Sequence, residues 1–91
     1  MNETQIITVR YWAGAKAAAG TDRDVLVTDS SLTVADVVAR AVDLHPDSRL
    51  GEVVKACSVL VDEQPLGTRD PTSVEVLPGQ SVELLPPFAG G

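Results

Sequence analysis

Thr33-Val34-Ala35-Asp36-Val37-Val38-Ala39-Arg40-Ala41-Val42-Asp43-Leu44 is the stretch that decides the fold. Val34, Val37, Val38, Ala41 and Val42 recur at i, i+3, i+4, i+7 and i+8, the apolar stripe of an amphipathic helix. Asp36, Arg40 and Asp43 fall on the wet side. Thr33, with Asp36 three residues on, has the form of a capping box in which Asp stands for the usual Glu. Pro46 stops the helix, because its ring removes a backbone donor and clashes with the preceding turn. A helix with one apolar stripe needs an apolar layer to lie on.

The flanks supply that layer. Upstream, Gln5 to Trp12 reads QIITVRYW, rich in β-branched and aromatic residues, and is predicted as a strand. Alternation puts Ile7, Val9 and Tyr11 on the core face and Ile6, Thr8, Arg10 and Trp12 on the other. Ala13 to Ala19 (AGAKAAA) ends at Gly20 and is predicted as a short helix with a glycine stop. Arg23 to Thr28 (RDVLVT) is a second strand. Downstream, Ser48 to Ala56 offers a further helical turn and Cys57 to Val61 (CSVLV) a third strand. A turn follows at Asp62-Glu63-Gln64-Pro65, and Leu66 is expected to open a short edge strand. After the Pro78-Gly79-Gln80 turn, Ser81 to Leu85 (SVELL) is the last strand. Strand, strand, main helix, strand, strand implies a two-layer α+β domain, with the first and last strands side by side in the centre.

Composition narrows the function. The chain has 91 residues, with 13 acids against 7 bases and a net charge of −6, so it is a poor ligand for nucleic-acid phosphates. Hydrophobic residues make up 44 %, enough for one small core and not for a large internal catalytic cavity. A single cysteine, Cys57, allows no internal disulfide, CxxC pair or iron–sulfur cluster. A single histidine, His45, leaves no His pair for zinc, and no metal site is expected. Apolar runs fall far short of the roughly 18 residues of a membrane span. Met1-Asn2-Glu3-Thr4-Gln5 has neither the basic nor the apolar region of a secretory leader. A cytoplasmic domain that meets proteins, with no bound cofactor, is the expectation.

The chemistry is expected in the tail. After Leu85 the chain reads Pro86-Pro87-Phe88-Ala89-Gly90-Gly91. We divide it as a domain over residues 1–85 and a flexible tail over 86–91. The prolines hold the backbone extended, and Ala89, Gly90 and Gly91 are slim enough for a narrow slot. Six extended residues reach roughly 20 Å, far enough to enter another protein's active site. A plain frayed terminus or an expression scar would look the same. A carboxylate at Gly91 is a poor electrophile until it is adenylated. A persulfide then displaces AMP, leading to a C-terminal thiocarboxylate whose soft sulfur is a good nucleophile. The chain has no GxxxxGK[ST] loop, so a partner must adenylate it. By alternation Glu83 and Leu85 share the outward side of the last strand. Leu85, Pro86, Pro87 and Phe88 would then join Trp12 in an apolar patch beside the tail. The alternative is that Trp12 merely covers the short helix.

Val9-Arg10-Tyr11-Trp12-Ala13-Gly14-Ala15-Lys16-Ala17-Ala18-Ala19-Gly20 and Leu85-Pro86-Pro87-Phe88-Ala89-Gly90-Gly91 resemble the MoaD family, the small sulfur-carrier subunit of molybdopterin synthase. The resemblance spans nearly the whole chain. Its ending is the specific part, and its middle is generic. It implies a β-grasp, ubiquitin-like fold: a mixed sheet of 4–5 strands packed on one main helix. It implies that a MoeB-like enzyme, using ATP and Mg²⁺, adenylates Gly91, and that a sulfurtransferase supplies sulfur. The thiocarboxylate tail then enters a MoaE-like large subunit and gives sulfur to cyclic pyranopterin monophosphate. On this resemblance the chain is not catalytic alone. Gly90 and Gly91 are its reactive end, and Trp12, Leu85, Pro86, Pro87, Phe88 and Ala89 meet the partner. Trp12 stands where the family usually has Phe, and Leu85 where a ring is commoner. Other readings stay open: sulfur delivery to cysteine, thiamine or tRNA, a ubiquitin-like modifier, or an interaction domain with an inert tail.

The remaining polar residues read more simply. Cys57 is expected as a small buried hydrophobe, and His45 as a helix-end residue favoured by the dipole. Lys16 and Lys55 read as solvated. Asp62-Glu63 and Asp70 read as turn residues, with contact to a basic partner groove as the alternative.

Overall fold

The capping box at Thr33 forms: the Asp36 N–H donates to the Thr33 hydroxyl at 3.0 Å, and the Thr33 N–H donates to the Asp36 carboxylate at 3.3 Å. It opens the main helix, α2 (Val34–Asp43). The computed structural model describes residues 5–87. Around α2 lie β1 (Ile6–Tyr11), α1 (Ala13–Ala19), β2 (Arg23–Val27) and the two-residue β3 (Leu32–Thr33). After it come α3 (Leu50–Val53), a 3₁₀ turn (Val54–Ala56), β4 (Ser58–Val61), β5 (Gln64–Pro65), β6 (Glu75–Val76) and β7 (Ser81–Leu85).

Five strands form one mixed sheet in the order β2-β1-β7-β4-β5. The first and last long strands, β1 and β7, are its parallel centre, with Val9 beside Val82 and Tyr11 beside Leu84. All other pairings are antiparallel. This is the two-layer arrangement expected from the sequence. Ile7, Val9 and Tyr11 of β1 and Val82 and Leu84 of β7 are buried on the inner face. Val34, Val37 and Ala41 of α2 close over them, joined by Leu50 of α3 and Ala15 and Ala19 of α1. Each fully buried Val, Leu or Ile contributes about 1.5–3 kcal/mol of transfer free energy, so this inner layer dominates the favourable side of folding.

Two details differ from the sequence reading. The edge strand is Gln64–Pro65, immediately before Leu66, because Asp62 and Glu63 alone make the turn. Both have positive φ, 48° and 72°, the pattern of a two-residue hairpin whose twist matches the strands. Leu66 then turns inward and is buried. The second difference is a separate two-stranded sheet, β3 with β6. The segment leading into β6 also serves α2, since the Val34 N–H donates to the Val74 carbonyl at 2.9 Å and the Ala35 N–H to the Pro71 carbonyl at 3.0 Å. These bonds satisfy two donors that the first helical turn leaves without partners. Among the described residues no helix is long and apolar enough to cross a membrane.

Candidate functional site

At the end of β1 the chain turns from strand into helix without a loop. Trp12 keeps extended geometry, and Ala13 takes a left-handed φ of 49°. For an L-residue that conformation costs roughly 1–2 kcal/mol. The corner is pinned from both sides. The Trp12 N–H donates to the Leu84 carbonyl at 3.2 Å, extending the β1–β7 ladder, and the Trp12 carbonyl accepts from the Ala15 N–H at 2.9 Å. The indole is thereby held on the outer face of the sheet, 42 % exposed. The Arg10 guanidinium stacks over it, 5.4 Å from the ring centroid. Trp12 therefore lies partly open on the outer face, beside the start of α1.

Leu85 is the next outward residue beside Trp12 across the parallel pair, and it is 36 % exposed. Trp12, Ala13, Glu83, Leu85 and Pro86 line an open groove of about 420 Å³, mostly apolar. Pro86 lies against the start of α1: a Cβ built on Gly14 would stand 4.0 Å from its ring. The structure thus brings together Trp12, Leu85 and Pro86 where the chain leaves the sheet. Pro87 follows, exposed. Phe88, Ala89, Gly90 and Gly91 lie outside the described residues. Ala13 and Glu83 also line the groove, although neither was singled out from sequence as a site residue. Alternation already put Glu83 outward beside Leu85, which was the available signal for it. The left-handed corner at Ala13 has no such signal.

The inner side of the sheet holds a polar cluster that no local pattern announces. The Tyr11 hydroxyl donates to Asp24 Oδ2 at 2.7 Å, and His45 Nε2 lies 2.6 Å from the same oxygen. The two rings meet edge to face, with centroids 6.1 Å apart. An ionised carboxylate only accepts, so Nε2 carries the hydrogen. The cluster joins β1, β2 and the end of α2. His45 is therefore more than a dipole-favoured helix end. Burial pushes the Tyr11 phenol well above its usual range, and the hydrogen bond to Asp24 and that residue's charge push the same way. The shared Asp24 oxygen ties these elements together.

Cys57 is half-buried, its thiol donating to the Val53 carbonyl at 3.4 Å, and burial raises its pKa. A raised thiol is a poor nucleophile at neutral pH. Asp62 accepts from the Ser81 N–H at 2.9 Å and the Gln80 amide at 3.0 Å, fastening the β4–β5 turn to the start of β7. Asp70 accepts from the Thr72 N–H and hydroxyl, which holds its carboxyl below the usual range. Lys55 reaches Glu52 at 3.8 Å, both exposed, and Lys16 is exposed on α1. Among the described residues no three His, Cys, Asp or Glu side chains gather to hold a metal ion.

No family model and no curated protein matches this chain. Solved structures do. The crystal structure of SAMP1 from Haloferax volcanii superposes with a TM-score of 0.77 at 20 % identity, covering 94 % of this chain and 99 % of that one. A putative molybdopterin converting factor subunit 1 from Pyrococcus furiosus gives 0.73 at 19 % identity, covering 90 % and 97 %. A protein–protein complex of subunits 1 and 2 of the molybdopterin-converting factor from Helicobacter pylori contains a chain that gives 0.63 at 19 % identity, covering 94 % and 99 %. The strand order, the parallel central pair and these superpositions agree that the chain has the β-grasp, ubiquitin-like fold, as its resemblance to the MoaD family implied.

Proposed function

We propose that this chain is a sulfur carrier for molybdopterin synthesis, working through the α-carboxylate of Gly91. The observation that carries the reading is the apolar groove of Trp12, Leu85 and Pro86, placed where the Pro-Pro-Phe-Ala-Gly-Gly segment departs. A partner that covers the groove receives the tail in a defined direction.

The chain supplies a handle and an acyl group, and partners supply the catalysis. In a MoeB-like enzyme the Gly91 carboxylate attacks the α-phosphorus of ATP, and pyrophosphate leaves. A persulfide from a sulfurtransferase attacks the acyl-adenylate carbon and expels AMP. A thiol then cleaves the sulfur–sulfur bond of the acyl disulfide, leaving the thiocarboxylate. In a MoaE-like large subunit that sulfur attacks a carbon of cyclic pyranopterin monophosphate and displaces an oxygen substituent, and water then cleaves the acyl–sulfur bond, leaving sulfur on the pterin and restoring the Gly91 carboxylate. The cytoplasm, expected from the sequence, is the proposed place of this work. Gly90 is slim enough for the tunnel that such a subunit must provide, and Phe88 and Ala89 would line its entrance with Pro87. Delivery of the same sulfur to cysteine, thiamine or tRNA would use the same tail chemistry with a different acceptor.

The test is reconstitution with the activating enzyme, ATP and a sulfur donor, followed by intact-mass measurement. One oxygen should be exchanged for sulfur, and the loaded chain should convert the pterin precursor with the large subunit. A chain lacking Gly91 should keep its fold and its partner affinity but transfer no sulfur. Continued synthesis by that truncated chain would overturn the reading. A second reading, a ubiquitin-like modifier, is favoured by the superposition on a protein named small archaeal modifier protein 1. It predicts higher-mass conjugates in cell extracts that disappear on the same truncation.

A further inference from the structure

Glu83 is the charged residue among those that line the outer groove, and it stands beside Trp12, Leu85 and Pro86. Register places it between Arg10 on β1 and Leu60 on β4. Arg10 would be its natural counter-ion, but the Arg10 guanidinium lies over the Trp12 ring. Arg10 also faces a like charge, Arg23, directly across the antiparallel pair, and Arg23 is itself 3.7 Å from Asp22. Among the described residues the Glu83 carboxylate takes part in no ion pair. It is half-buried on a mostly apolar floor and, without a hydrogen-bond partner among the described residues, keeps its carboxylate open to water.

Any surface that closes this groove strips that water. A desolvated carboxylate without a donor costs far more than the surrounding apolar contact returns, unless the covering surface brings a cation or strong donors. We propose that Glu83 selects the docking partner: the groove takes a protein surface that sets an apolar side chain against Trp12 and Leu85 and an arginine or lysine against Glu83. The charge complementarity is specific to this spot, since the chain's net charge of −6 already favours approach by basic surfaces and Glu83 fixes where the cation lands. Stacked Arg10 stiffens Trp12 and repels a wrongly placed cation. The inference deepens the sulfur-carrier reading, which supplies only the identity of the partner.

The experiment is calorimetric titration of the full-length chain with the subunit 2-type protein of the same organism, at low and high salt. Glu83→Gln should weaken binding about tenfold at low salt, the loss of one charge-assisted contact, and the gap should narrow at high salt. The loss should persist in an Arg10→Gln background. Wild-type affinity for Glu83→Gln, with Trp12→Ala still weakened, would overturn the role of Glu83 and leave the groove standing. Disappearance of the loss in the Arg10→Gln background would show that Glu83 answers to Arg10 of its own chain, which also overturns the proposal. If the wild-type chain does not bind that protein, the molybdopterin reading fails and the assigned partner falls with it.

Discussion

The two faces of the central sheet are built from the same strands and behave as different materials. On the inner face Ile7, Val9, Tyr11, Val82 and Leu84 are buried beneath α2, and even the polar cluster of Tyr11, Asp24 and His45 is internally bonded. On the outer face Val25, Val27, Trp12 and Leu85 remain exposed, with Arg10 and Glu83 between them. The inner face holds the fold together. The outer face leaves its apolar area open, and it is the area that the proposed function assigns to a partner. One strand register separates the two roles, because successive side chains point to opposite sides.

Neighbouring leucines on β7 give the sharpest way to break this contrast. Leu84→Ala should destabilise the domain by about 2–5 kcal/mol, the transfer loss plus a cavity under α2, read by urea or thermal unfolding. Leu85→Ala should cost less than about 1 kcal/mol in the same measurement while weakening partner binding. If the two variants unfolded alike, the division of faces would be wrong.

Tyr11 sharpens the comparison on the inner side. Tyr11→Phe should cost about 1.5 kcal/mol, the worth of a hydrogen bond to a charged acceptor. It should also change the alkaline limb of the stability curve. The phenol is neutral when protonated, and the fold holds its pKa above the unfolded value of about 10. The unfolded chain therefore loses its proton first, so the contribution is complete below about pH 10 and falls as pH rises beyond it. The Cys57 thiol, also raised by burial, acts with the same sign. Stability measured against pH should decline less steeply for Tyr11→Phe than for wild type. An unchanged slope would remove Tyr11 from the account.

The smallest effect is expected at the β4–β5 turn. Glu63 sits at a φ of 72° without the freedom of glycine. Glu63→Gly should stabilise by up to about 1 kcal/mol, since that turn favours Asp-Gly. Thermal unfolding would reveal it, and destabilisation would mean that the Glu63 side chain has a contact role on this rim.

Much of this was legible beforehand. Alternation along Gln5 to Trp12 placed Ile7, Val9 and Tyr11 inward and Trp12 outward, and the stripe from Val34 to Val42 with its Thr33–Asp36 cap defined the main helix. The sheet formed by β3 and β6 was not legible, because two-residue strands have no period to read. The cluster of Tyr11, Asp24 and His45 was hidden for another reason. Its members are 13 and 21 residues apart, on three different elements.

The sequence by itself determined which side of each element is apolar, where the helices begin and end, and where proline ends the last strand. Those properties are local, set by side-chain periodicity, caps and proline. Only the tertiary structure decided that Trp12 and Leu85 share one groove, that Arg10 leaves Glu83 for the indole, and that Asp24 serves both Tyr11 and His45. Such neighbours depend on strand register and helix placement, which emerge when distant segments pack against one another.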